Sequence, residues 1–161
     1  RDPTDRIERE KGEKTMGAAT PISILMAEDD VEDQMLVREA FEEARLANDI
    51  AIVGDGEELL DYLNQREPYT DVSHPHIILL DLNMPRKDGR EALKEIKADP
   101  KLRRIPVIVL TTSSAEEDII STYDMGISSY IRKPVTFDKL VDLVKELGRY
   151  WLEIVELPPD I

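Results

Sequence analysis

From position 22 onward, short apolar runs alternate with longer stretches in which apolar residues recur every three or four positions. Runs at 22–27, 50–53, 76–80, 106–110 and 128–132 read as strands, continuous enough in apolar character to be buried on both faces. The stretches between them read as helices over 32–47, 57–65, 90–98, 115–125 and 136–150. In the first helix Met35, Leu36, Ala40, Phe41 and Ala44 are spaced for one inward face, and Asp30 or Asp33 is placed to cap it. The second turns Leu59, Leu60 and Leu63 inward. Gly54-Asp55-Gly56 marks a turn, Asp99-Pro100 ends the third helix and Gly126 closes the fourth.

Five strand–helix repeats predict an α/β protein with one parallel sheet covered on both sides. With right-handed crossovers and strand order 2-1-3-4-5, this is a flavodoxin-like doubly wound fold in a single domain. Residues 1–20 are polar, lack apolar periodicity and read as a flexible leader, with Met16 a candidate natural start. The domain proper is expected over 21–150, with a C-terminal extension over 151–161.

The ends of the apolar runs carry the chemistry. Glu28-Asp29-Asp30 follows the first run directly, and Asp81 follows the third. In a parallel sheet these carboxyl ends share one rim, where open α/β folds place their sites. Carboxylates brought together repel unless a cation or a proton compensates, and oxygen donors of this kind suit magnesium. Thr111 at the end of the fourth run and Lys133 at the end of the fifth reach the same rim. An aspartate nucleophile, a hard cation, a hydroxyl and an ammonium together suit phosphoryl transfer.

Composition narrows the choice. The net charge of -14 argues against a nucleic-acid surface. Five basic and five acidic residues cancel within 1–20, so the whole excess lies from Pro21 onward. Cysteine is absent, which excludes disulfides, thiolate nucleophiles and zinc–thiolate sites. No apolar stretch approaches the ~20 residues of a membrane span and no signal core opens the chain, so a cytoplasmic protein is expected.

The stretches Ile24-Leu25-Met26-Ala27-Glu28-Asp29-Asp30, Leu79-Leu80-Asp81-Leu82-Asn83-Met84-Pro85 through Asp88-Gly89, Pro106-Val107-Ile108-Val109-Leu110-Thr111-Thr112 and Tyr130-Ile131-Arg132-Lys133-Pro134 occur in that order. Together they resemble the receiver domains of two-component response regulators, over about residues 22–147. The resemblance implies that Asp81 accepts a phosphoryl group from a kinase phosphohistidine. It implies Asp29 as the direct Mg2+ carboxylate, Glu28 acting through metal-bound water, and the Asn83 backbone carbonyl as a further ligand. Thr111 is implied as the switch hydroxyl, Tyr130 as the aromatic that follows it, and Lys133 as the partner of the phosphoryl oxygens. The Lys133–Pro134 bond is often cis in such proteins.

Two positions depart from the family pattern. Val135 stands where phenylalanine is common after Lys-Pro, so packing under helix five is expected to differ, and Thr112 stands where glycine or alanine is common, so a slower phosphoryl hydrolysis is expected. The ending Gly148 to Pro159, with the single tryptophan Trp151, is similar to stand-alone receivers that work with phytochrome-type sensor kinases. That similarity implies a sensor histidine kinase or a phosphotransfer protein as partner. It also implies a homodimer formed through helix four, strand five, helix five and the C-terminal extension.

The chain is therefore expected to act as a phosphorylated regulator whose output is protein contact or phosphorelay, since no output domain fits after the fifth helix. It would catalyse only its own phosphorylation and dephosphorylation. A constitutive adaptor of the same fold is the alternative. A phosphatase with an aspartate nucleophile is disfavoured because Asn83 stands where a second aspartate would be the general acid. A flavodoxin-like electron carrier is excluded because Glu28-Asp29-Asp30 would repel the cofactor phosphate. His74 and His76, flanking Pro75, are expected to be solvent-facing or locally hydrogen-bonded, without a functional role.

Overall fold

A computed structural model describes residues 22–46 and 49–161; the leader over 1–20, Pro21 and the expected end of the first helix at 47 lie outside them. Five parallel strands, β1 (Ser23–Ala27), β2 (Asp49–Val53), β3 (Ile77–Leu80), β4 (Val107–Thr111) and β5 (Ser129–Arg132), form one sheet in the order β2-β1-β3-β4-β5. The helices between and after them are α1 (Val31–Glu43), α2 (Gly56–Leu63), α3 (Gly89–Ala98), α4 (Glu116–Met125) and α5 (Phe137–Gly148), and a wide turn over Arg149–Ile154 continues α5. This is the fold expected from the repeat pattern.

Alternation along the strands divides the core. Leu25, Ile78, Leu80 and Val109 face one side, where Leu59, Leu60 and Leu63 of α2 and Leu93 and Ile96 of α3 cover them. Ile24, Met26, Ile77, Leu79 and Ile108 face the other, beneath Val37 and Phe41 of α1 and Leu140 and Val144 of α5. The tail joins this second layer, with Trp151, Leu152 and Leu157 packed against it.

Helix α1 departs from its expected face. Val37, Ala40 and Phe41 are buried and Ala44 is packed against the core, but Met35 is 56% exposed and Leu36 also stands out to solvent. Ala40, Phe41 and Ala44 keep their expected inward places, and Val37 takes the place of Met35 and Leu36. Two helices also end early. Arg45 and Gln65 adopt left-handed backbone (φ 57° and 55°), stopping α1 at Glu43 and α2 at Leu63. Among the described residues the one cis peptide bond is Glu67–Pro68, so Lys133–Pro134 is trans.

Candidate functional site at the carboxyl rim

The sheet ladder runs one residue past each strand and so fixes the backbone of the site. The Glu28 N–H donates to the Val53 carbonyl (2.9 Å), that of Asp81 to Ala27 (3.1 Å), and that of Lys133 to Thr111 (2.8 Å). Asp30 then caps α1, its carboxylate accepting from the N–H groups of Glu32 and Asp33. Glu28 and Asp81 are buried, at 1% and 5% exposure, whereas Asp29 is exposed.

These three acids can bring one carboxylate oxygen each within 4.8 Å of the others. Thr111 donates its hydroxyl to Asp81 Oδ1 at 2.7 Å, and Lys133 Nζ approaches Asp81 Oδ2 at 3.5 Å. The two donors thus hold opposite oxygens of one carboxylate. Lys133 Nζ also donates to Glu28 Oε1 and, at 3.0 Å, to Asp33 Oδ2. Burial pushes the Glu28 carboxyl up to about 7, with Lys133 opposing and the Asp81 charge adding to the shift. Burial alone would lower the Lys133 ammonium, but its hydrogen bond to Glu28 and the charges of Asp81 and Glu28 leave it raised.

The loop after β3 is pinned where it passes the site. A Cβ on Gly89 would lie 2.3 Å from the Asp81 carbonyl oxygen, so only glycine lets α3 begin against the backbone of the central aspartate. Asn83 lies on this loop, exposed, with its N–H 3.4 Å from Asp81 Oδ1. Tyr130 is half-buried, and its hydroxyl donates to the Ser113 carbonyl at 3.0 Å. Val135 is 99% exposed and packs under nothing, and Thr112 is exposed beside the rim. His76 lies at the opposite end of the sheet, and its hydrogen bonds are long-range rather than local: Ser23 N–H donates to its Nδ1 at 3.0 Å, and Asp160 meets its Nε2.

Sequence reasoning missed two groups. Asp33 reads in the sequence only as a candidate cap, yet from the first turn of α1 it meets Lys133 Nζ at 3.0 Å. Arg90 and Asp118 were not singled out. Arg90 grips Asp118 with two hydrogen bonds of 2.7 and 2.6 Å, a pair between distant helices that no local spacing announces.

Oxygen donors alone, two of them buried and mutually repelling, fit a hard divalent cation. A doubly wound sheet, an acid triad and a facing lysine define a receiver. The chain matches the response regulator receiver domain over residues 24–145, and it belongs to that family. It is 41% identical over 138 residues to response regulator Rcp1 of Synechocystis, covering 86% of this chain and 94% of that protein. A Mn2+-bound structure of Rcp1 superposes with a TM-score of 0.80 over 86% of this chain and 100% of that one. The phosphorylated cyanobacterial phytochrome response regulator RcpA superposes with a TM-score of 0.82 at 42% identity, over 86% and 99% of the two chains. The probable methanogenesis regulatory protein FilR2 of Methanothrix harundinacea is also 41% identical, over 84% of this chain and 86% of that protein. No helix among the described residues is long and apolar enough to cross a membrane.

Proposed function

We propose that this chain is a cytoplasmic two-component response regulator that accepts a phosphoryl group on Asp81. The observation that carries this reading is the placement of Asp81: buried at the rim, within reach of Glu28 and Asp29, and held from opposite sides by Thr111 and Lys133. In the transfer, an Asp81 carboxylate oxygen forms a bond to phosphorus as the nitrogen–phosphorus bond of a donor phosphohistidine breaks. The imidazole nitrogen leaves with the electron pair. Glu28, Asp29, Asp81 and the Asn83 carbonyl would hold a magnesium ion, which when bound would supply charge neutralisation for the transfer. Lys133 is placed to turn from Asp81 to a phosphoryl oxygen, and Thr111 to donate its hydroxyl to another.

Exposed apolar residues support partner contact beside this rim. Val31, Met35 and Leu36 of α1 and Val135 and Phe137 after β5 stand out to solvent. Several of them border a groove that also contains Asp33 and Lys133. Such a surface suits the helical face of a sensor histidine kinase or phosphotransfer protein bringing its histidine to Asp81. The similarity to RcpA, a cyanobacterial phytochrome response regulator at 42% identity, favours a phytochrome-type kinase. Further exposed apolar residues, Ile120 and Tyr123 on α4 and Tyr150 and Ile154 beyond α5, suit a homodimer through α4, β5, α5 and the tail.

One observation favours a second reading, a constitutive adaptor. Thr111 hydrogen-bonds Asp81 and Tyr130 hydrogen-bonds Ser113, contacts that would equally serve a fixed binding surface. The deciding experiment is intact mass after incubation with acetyl phosphate and magnesium. A gain of about 80 Da, the mass of one phosphoryl group, that vanishes in Asp81→Asn and in EDTA supports the phosphoacceptor. No gain with any donor, including a phosphorylated kinase, supports the adaptor.

A further inference from the structure

Beside the rim, hydrogen bonds close a ring around the central aspartate. Asp81 Oδ1 accepts from Thr111 (2.7 Å), and Thr111 Oγ1 accepts the Ser113 N–H (3.4 Å). Ser113 Oγ donates to Asp118 Oδ2 (2.7 Å), the carboxylate that Arg90 grips with Nε and Nη2. Arg90 Nη1 then donates to the Leu82 carbonyl (3.4 Å), one residue beyond Asp81. The Ser113 carbonyl accepts the Tyr130 hydroxyl, so β5 hangs on the same loop.

Chemistry makes Arg90 and Asp118 the stiff part of this ring. A two-pronged arginine–carboxylate pair fixes both distance and plane, which a lone hydroxyl contact does not. Asp118 is buried at 8% exposure, so losing its partner leaves a carboxylate without compensation. Its carboxyl lies below the ordinary range, chiefly through the Arg90 hydrogen bond. The two residues sit in the first turns of α3 and α4, the helices that begin just after the Asp81 and Thr111 loops.

We propose that Arg90 and Asp118 are positioning residues: a clamp that holds the loop after β4 so that Thr111 faces Asp81 and Tyr130 bonds Ser113. The proposal rests on Asp81 as phosphoacceptor for its kinetic consequence, but not for its structural one. A clamped loop couples the charge at Asp81 to α4 and β5, because Ser113 cannot move without breaking a contact on every side. A released loop lets Thr111 and Tyr130 take other rotamers, so fewer molecules present the hydroxyl that phosphoryl transfer needs.

The test uses the full chain with carbon-13 in its tyrosines, Tyr130 being assigned by loss of its signal in Tyr130→Phe. Arg90→Met, Asp118→Asn, the double variant and Arg90→Lys are compared with wild type. In the unphosphorylated protein, both single variants should shift or broaden the Tyr130 signal. Each should also slow phosphoryl gain from acetyl phosphate by about tenfold, with the double variant no slower than the slower single. Arg90→Lys should fall between, keeping the charge but not the two-pronged grip. Folded variants with an unchanged Tyr130 signal and an unchanged rate would overturn the clamp, even if their thermal stability dropped. So would single effects that multiply in the double variant, since partners in one clamp cannot act independently. If Arg90→Met fails to fold, Arg90→Lys decides by the same two readings. If wild type gains no phosphoryl group, the Asp81 reading has failed, and the Tyr130 signals alone decide the clamp.

Discussion

At the carboxyl rim of the sheet, Glu28, Asp33 and Asp81 crowd around a single ammonium, Lys133, and Asp29 stands beside Glu28 and Asp81. At the amino rim, no comparable cluster of acids is found among the described residues. Ser23 N–H donates to His76 Nδ1, so the ring proton stands on Nε2 and is donated to Asp160 at 2.8 Å. The Pro158–Ile161 end of the tail lies beside Pro75, Ile105 and Pro106 at the strand starts. Among the described residues no buried side-chain polar atom lacks a hydrogen bond, so the rims do not differ in satisfied partners. They differ in like charge. The amino rim is built to stay closed, whereas the carboxyl rim keeps repulsion that an incoming cation relieves.

The strongest way to break this contrast is Lys133→Met. Without metal, it leaves the buried Glu28 and Asp81 carboxylates uncompensated and should destabilise the protein by about 3 kcal/mol at neutral pH. Urea unfolding measures the loss, and saturating magnesium should restore part of it, because the cation binds the folded form. A Lys133→Met variant as stable as wild type in EDTA would show that the acids already hold protons instead.

Trp151→Ala probes the other side of the comparison. The indole packs against Ile24, Phe41, Ile77 and Ile108 near the strand starts, and its ring meets Tyr150 edge-on at 5.3 Å. Truncation should destabilise by about 2 kcal/mol, less than for a fully buried tryptophan. Phosphoryl gain at Asp81 should stay at the wild-type rate at temperatures where the variant is folded. A matching loss of phosphorylation would tie the two rims together and erase the contrast.

The carboxyl rim should also be the pH-sensitive one. Because Glu28 is raised from 4.5 to about 7, its contribution to metal-free stability is fully present below 4.5 and lost as pH rises through 7. Cation binding runs the opposite way, since the proton on Glu28 must leave. Magnesium affinity should fall by about tenfold for each pH unit below 7 and level off above it. Calorimetric titration between about pH 5.5 and 8.5 checks this, and Glu28→Gln should flatten the profile.

Much of this contrast is legible in the sequence, and the exceptions have physical causes. The buried parallel strands announce themselves as unbroken apolar runs, so strand order and the rim positions of Glu28, Asp29, Asp81, Thr111 and Lys133 follow from pattern and topology. The ends of α1 and α2 do not, because Arg45 and Gln65 take left-handed backbone without the glycine that signals it. Met35 and Leu36 misled because helical spacing cannot tell a core stripe from apolar residues left on the surface. Asp33 and the Arg90–Asp118 pair stayed hidden for a different reason. Their meaning lies in distances across 100 and 28 residues of chain, which only folding sets.

The smallest effect should come from Asp160→Asn. The Asp160 side chain is 84% exposed, so its bond to His76 works against water and salt and is worth about 0.5 kcal/mol. His76 keeps its contact with Ser23, and the apolar part of the tail still packs, so the tail should remain docked. Amide hydrogen exchange over residues 155–161 should quicken by about twofold, with the strands and the Asp81 rim unchanged. Wholesale release of the tail would mean that this surface hydrogen bond, rather than Trp151, Leu152 and Leu157, holds it down. The amino rim would then depend on charge as much as the carboxyl rim does, and the distinction between a rim built for closure and a rim built for binding would fail.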